Sequence, residues 1–366
     1  DFVMGNIITP RLNATVINKY IQTITEPIFQ EAKLLGVLKA YGRIRKHVAP
    51  DIRWRARIKR REPVPIGSYP VNVPFEAPVR HVEAVLPWRA YGLGEYITRQ
   101  ERLVGQDKES NLPRILESIV NWMMDDFKVY LQRVMYSDGD AGTDHIHGLE
   151  SMFAVDGLVS GTGSAVGKPA DVYAGLSTAL GAHGGTCSAD APWPEAEHIS
   201  TEYCAWSPMV VDYSNAKFKP EGITSVSWQT NWRSATRYAR TWLLALQGVT
   251  PNVMIMHPEL ERQARESADQ YWQMEATKSP QLVDLGITAL HFEGVELIAD
   301  PYCPADTAYL IPTKNIELLM LQNQLIEVHE NTDPYANDTF YMDFHGNLRM
   351  ETPAFFAKLT TISGQQ

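Results

Sequence analysis

The sequence predicts an α+β fold, and three observations predict it. Residues 294–361 form a series of short apolar segments split by Pro, Gly, Asp and Asn clusters, the pattern of strands joined by tight loops. Residues 112–136 carry Leu112, Ile115, Leu116, Ile119, Val120, Met123, Phe127, Tyr130, Leu131 and Val134 at helical spacing, which makes one apolar face. Between them, the apolar run Val253–Met256 turns at Pro258 into a polar, helix-forming stretch, a βα unit.

The chain has 366 residues, 44% hydrophobic and 21% charged, which suits two or so globular domains and excludes global disorder. No apolar run reaches the length of a membrane span, and the first residues, DFVMGNIITPRL, lack the charged start and apolar middle of a signal peptide. Three cysteines, Cys187, Cys204 and Cys303, without a CxxC pair fit free thiols in a reducing compartment. Charge is uneven. Residues 43–61 hold nine Lys or Arg against Asp51 alone, a local charge of +8; the whole chain is at −10, so the remainder carries −18.

Taken in order, residues 13–38 are mostly helical in pattern, with Val16, Ile17, Tyr20, Ile21 and Ile24 at helical spacing and a break at Pro27. Residues 43–97 read as an extended hairpin. Arg53, Arg55, Arg57, Lys59 and Arg61 alternate with Trp54, Ala56, Ile58 and Arg60, which puts five cations on one face of a strand. Pro63, Pro65, Pro70, Pro74 and Pro78 then forbid a helix, and a run over residues 79–97 returns the chain. Such a hairpin buries too little surface to be stable alone and calls for a partner surface. The long helix follows, capped at Asn111 and ended by Ser137, Asp138 and Gly139. Residues 139–194 are rich in Gly, Ser, Ala and Asp and read as loops with short elements. Residues 226–247 form a tryptophan-rich helix with Trp228, Trp232, Ala235, Ala239, Trp242, Leu243 and Leu246 near one face, ended by Gly248.

Chemistry-bearing patterns are few. Residues 160–169, SGTGSAVGKP, fail as a phosphate loop, because Thr162 stands where the first Gly is needed and Pro169 replaces the magnesium-binding hydroxyl. Asp144, His145 and His147 could supply metal ligands to a hydrolase, although no partner motif such as HExxH accompanies them. No GxSxG elbow is present, and Cys187 and Cys204 have only His183 and His198 as sequence neighbours. The cationic strand has three readings. It docks on an acidic patch of another copy, for which Glu117, Asp125 and Asp126 on the long helix are candidates; it binds nucleic acid, with Trp54 stacking on a base; or it is a solvated face.

The order of these elements resembles the major capsid proteins of tailed bacteriophages, whose coat fold is shared with encapsulins and herpesvirus capsids. Residues 292–312, FEGVELIADPYCPADTAYLIP, the HPE turn at His257, Pro258 and Glu259, and the closing GNLRMETPAFFAKLTTI carry the likeness. The resemblance implies an N-terminal arm at 1–42, an extended hairpin (E-loop) at 43–97, a P domain with the spine helix at 98–148, an A domain at 149–317, P-domain return strands at 318–348, and a C-terminal A-domain segment at 349–366. It implies a non-enzymatic subunit without cofactors that assembles in the host cytoplasm. Copies would form pentamers and hexamers of an icosahedral virion shell around double-stranded DNA, with scaffold, portal and decoration proteins as partners and no membrane. An encapsulin-like compartment is the nearest alternative, and a metal-dependent hydrolase using Asp144, His145 and His147 a more distant one. Some relatives weld subunits through a Lys–Asn isopeptide bond, for which Lys59 with Asn331 or Asn337 are the candidates here.

Overall fold

Two sheets organise the chain. The computed structural model describes residues 32–58, 81–98, 111–139, 144–159, 164–183, 193–195, 205–269, 290–322, 325–331 and 338–362. Most of the expected arm lies outside the described residues, as do Lys59, Arg61, Pro63, Pro65, Pro70, Pro74, Pro78, Asn337, Cys187 and Cys204.

The described chain enters with helix α1 (Lys33–Ala40) and strand β1 (Ile44–Lys46), then makes a two-stranded antiparallel ribbon of β2 (Ile52–Arg57) and β3 (His81–Leu86). Strand β4 (Arg89–Ile97) and the long helix α2 (Asn111–Val134) follow. After a 3-10 turn at Leu149–Met152 come two small ribbons, β5 (Val155–Leu158) with β6 (Gly167–Pro169), and β7 (Val172–Tyr173) with β8 (Leu176–Ser177). Next are β9 (Met209–Asp212), α3 (Trp228–Gln247), β10 (Val253–Met256) and α4 (Pro258–Asp269). The chain closes with β11 (Leu290–Phe292), β12 (Val295–Ala299), β13 (Ala308–Ile311), β14 (Ile316–Met320), β15 (Glu327–Asn331), β16 (Asp338–Met350) and β17 (Ala357–Thr360).

The first sheet has six strands in the order β11-β12-β10-β13-β17-β9. Its central strands are covered on both faces, which is why they read as unbroken apolar runs rather than alternating ones. Val253 and Ile255 join the core shared with the rest of the chain, while Met254 and Met256 point into a second core beneath α3 and α4. There Trp228, Trp232, Ala235, Ala239 and Leu243 of α3 meet Leu260 and Ala264 of α4. The sequence dictates where α3 starts and stops. The backbone N–H of Ser227 donates to Thr230 Oγ1 (3.2 Å), and Gly248 takes the left-handed conformation (φ 67°) that ends the helix.

The second sheet is built around β16, which runs for 13 residues. Strand β4 pairs antiparallel along it from Arg89 opposite Gly346 to Ile97 opposite Asp338. On its other edge β14 and β15 lie end to end, β14 against residues 346–350 and β15 against 339–343, and β1 extends the sheet parallel to β14. Helix α2, 24 residues and about 36 Å long at about 1.5 Å per residue, buries Met123, Met124, Phe127, Leu131 and Val134 in the core that takes in Phe340, Met342 and Phe344 of β16.

Two features refine the sequence expectation. Among the described residues of 43–97, β2 and β3 pair with each other as the arms of a hairpin, and the chain turns at Pro87 so that β4 joins the distant β16. Tyr130, placed on the apolar face of α2 by spacing, is 42% exposed and leans edge-on against Tyr91 (5.3 Å) at the rim of the core. The end of the arm also packs within its own chain, because α1 buries Leu34, Leu35, Val37 and Leu38.

Candidate assembly surfaces

Strand β2 alternates as a half-buried strand should. Ile52 and Ala56 are buried, Trp54 is half-buried, and Arg53, Arg55 and Arg57 face solvent. The inner side is fixed to the body of the molecule. Trp54 packs near Tyr173 (6.3 Å) and the fully buried Trp206 (6.4 Å), its Nε1–H donates to the Glu351 carbonyl (2.9 Å), and the Arg349 guanidinium lies 6.0 Å from its ring. Such aromatic contacts each contribute about 0.5–1.5 kcal/mol beyond area burial. The outer cations are therefore held by an anchored strand rather than a loose one.

The cations of the basic segment are not equivalent. Arg43 and Arg45 are engaged internally: with Arg349 they converge on Glu317, at 3.5, 3.2 and 2.5 Å, and tie β1 to β14 and β16. Arg53 pairs with Asp51 (3.0 Å) and more loosely with Glu83 (3.8 Å), and these neighbours hold its guanidinium further above its usual pKa, the hydrogen bond to Asp51 first. Arg55 stands across from Glu83 in the ladder but forms no ion pair with it. Lys59 and Arg61 lie outside the described residues.

A surface of opposite character lies on α2. Trp122 is 64% exposed and Val129 48%, and Asp125 and Asp126 flank them on the same side. Residues three, four and seven apart share one helix face, so these four form a continuous stripe. Neither Asp125 nor Asp126 has an ion pair or hydrogen bond among the described residues. The side chain of Glu117, the third acidic candidate, is outside the described set.

The residues weighed for hydrolysis do not converge. Asp144 is fully exposed and pairs with Arg89 (3.2 Å), and the His145 ring stacks on Tyr91 (6.5 Å). His147 is buried against Asn347. The Asn347 amide is oriented by its neighbours: Oδ1 accepts from His147 N and Leu348 N, and Nδ2 donates to the Pro87 carbonyl. Nδ2 therefore also donates to His147 Nδ1 (3.1 Å), which must be the acceptor, so the ring proton sits on Nε2 and neither nitrogen has a lone pair to spare for a metal. Cys303 is buried, burial pushes its thiol pKa well up, and it donates to the Thr307 carbonyl, the behaviour of an inert packing residue. Of the crosslink candidates, Asn331 ends β15, while Lys59 and Asn337 lie outside the described residues. No described helix is long and apolar enough to cross a membrane.

No protein-family model matches this chain, and no curated protein matches it. Solved structures do. The chain is similar to the subunit in the capsid asymmetric unit of Cyanophage A-1(L), with TM-score 0.56 at 14% identity over 91% of this chain and 93% of that one. It is similar to the subunit in the capsid of a native GTA particle, with TM-score 0.53 at 12% identity over 88% of this chain and 89% of that one. The empty form of that particle gives 0.51 at 12% identity over the same shares. Mixed helix and sheet, matched over nearly the whole length of both partners, give this chain the fold of those phage and GTA capsid subunits.

Proposed function

We propose that this chain is a major capsid protein, a structural subunit whose identical copies form the pentamers and hexamers of an icosahedral virion shell around double-stranded DNA. A fold hosts many functions, so the reading rests on a feature of this chain: an anchored strand presents Arg53, Arg55 and Arg57 outward while α2 leaves Asp125, Asp126, Trp122 and Val129 uncovered. One surface complements the other, and a head-to-tail contact between different patches of identical chains forms rings when the rotation between neighbours closes. The arginine face of one copy docks on the α2 stripe of a neighbour; Lys59 and Arg61, outside the described residues, are further candidates for that contact by their alternate spacing in the sequence.

In this reading α2 with the sheet around β16 is the P domain, and the six-stranded sheet with α3 and α4 is the A domain. The net −18 outside the basic segment keeps packaged DNA from adhering to the subunit, so the genome is enclosed without sequence-specific contact. Scaffold, portal and decoration proteins complete the particle.

Electron microscopy of particles formed by the full chain and by its Arg53→Ala, Arg55→Ala, Arg57→Ala triple variant tests both statements. Wild type is expected to give closed shells, and the triple variant folded subunits that fail to close. Shells of normal form and yield from the variant would remove the docking role, and a wild type that never passes beyond monomer would remove the capsid role itself.

A further inference from the structure

Strands β15 and β16 gather three donor side chains that the sequence scatters, Glu327, His329 and Asp343, with His345 on the far side of Asp343. Glu327 lies directly opposite Asp343 in the ladder and His329 opposite Tyr341, so Glu327, His329, Asp343 and His345 occupy one face. Asp343 forms the floor, its side chain 13% exposed. Its Oδ1 lies 3.4 Å from His329 Nε2, and its Oδ2 lies 3.1 Å from His345 Nε2. One ligand atom from each of Glu327, His329 and Asp343 falls within 4.8 Å of the others. Gln322 braces the floor from outside, its Nε2 donating to Asp343 Oδ1 (2.9 Å) and its Oε1 accepting from the His345 backbone (3.3 Å). Across the other edge of β16, Gly92 faces Asp343 and Ala90 faces His345. The Tyr341 ring lies over Gly92, where any Cβ would overlap it. The neighbouring strand thus offers almost no side chain to crowd the cluster.

We infer that Glu327, His329 and Asp343 form a three-residue binding site for a divalent transition-metal ion of the zinc class, with solvent completing its coordination. Three arguments support it. Imidazole with carboxylate is the donor set of such ions, whereas calcium and magnesium take oxygen alone. Ligands about 2.0–2.1 Å from a tetrahedral ion stand roughly 3.3 Å from one another, close to the 3.4 Å between His329 Nε2 and Asp343 Oδ1. Paired histidines account for Asp343, but not for Glu327, which has no ion pair or hydrogen bond among the described residues and adds a second negative charge beside the first. A doubly charged ion relieves that repulsion and gives Glu327 a partner. It would clamp β15 to β16 just beyond the break at residues 321–326 that separates β15 from β14.

The test is zinc binding by untagged full-length protein, stripped with chelator and titrated calorimetrically, with cobalt as a spectroscopic stand-in. One equivalent per chain is expected, with the visible bands of a four-coordinate cobalt ion. His329→Ala and Glu327→Gln alter exposed or half-exposed positions that leave the core intact, and each is expected to weaken binding at least tenfold. Zinc should raise the melting temperature of the wild type and not of these variants. Absence of saturable binding to the wild type would overturn the site, and so would binding that survives both substitutions.

Discussion

Asp300 is the most constrained acid in the first sheet's margin. Its Oδ2 accepts from Tyr136 Oη (2.7 Å) and Leu34 N (3.3 Å), and its Oδ1 accepts from Tyr302 N (2.9 Å), which joins α1, the end of α2 and the exit of β12. Burial raises its pKa above the ordinary carboxylate value, against the opposing pull of these hydrogen bonds. A raised folded-state pKa means that Asp300 favours the fold most when protonated. Its contribution is full below the unfolded value of 3.8 and is lost as pH rises through the folded value. Unfolding of wild type and Asp300→Asn in denaturant should therefore show a wild-type advantage that is larger near pH 3.5 than at pH 7. A difference independent of pH would contradict this assignment. Chemistry at single residues was only partly legible in the sequence. In the sequence His329 and His345 each stand two residues from an acid, Glu327 and Asp343, a spacing that on strands puts both on one face. Only the register of β15 on β16 turns that local signal into a cluster.

At the scale of elements, α2 divides its work between two faces. Phe127 is 3% exposed and Trp122 64%. Truncating Phe127 to Ala should cost about 3–5 kcal/mol, as core cavities of this size do. Truncating Trp122 should change subunit stability by no more than about 0.5 kcal/mol while impairing assembly. Chemical denaturation and light scattering separate the two, and a Trp122→Ala subunit that assembles normally would remove the stripe from the interface. Helices α2 and α3 and strand β10 were legible because each announces its burial locally, by a 3.6-residue period or an unbroken apolar run. The partner of β4 was not, because residues 89–97 pair with 338–346, and nothing in either segment names the other. Among the described residues of 43–97, pairing by sequence proximity holds for β2 and β3.

For the whole molecule the uneven charge matters most. On the proposed docking, a segment of +8 on a body of −18 makes the attraction between copies sensitive to ionic strength. The screening length falls from about 10 Å at 0.1 M salt to about 3 Å at 1 M, so wild-type assembly followed by light scattering should decline over that range. The triple arginine variant should respond much less, and equal salt dependence in both would show that other contacts set the assembly equilibrium. Because Glu317 engages Arg43 and Arg45 internally, the proposal assigns this sensitivity to the outward arginines of β2.

The nine registered pairs between β4 and β16 carry a mechanical corollary. Hydrogen bonds in an antiparallel ladder run crosswise to the strands. Tension entering through the ribbon and passing down β4 therefore loads every rung together in shear, instead of peeling them open one after another. On the proposed capsid role, a shell stretched from within would load this ladder as a unit.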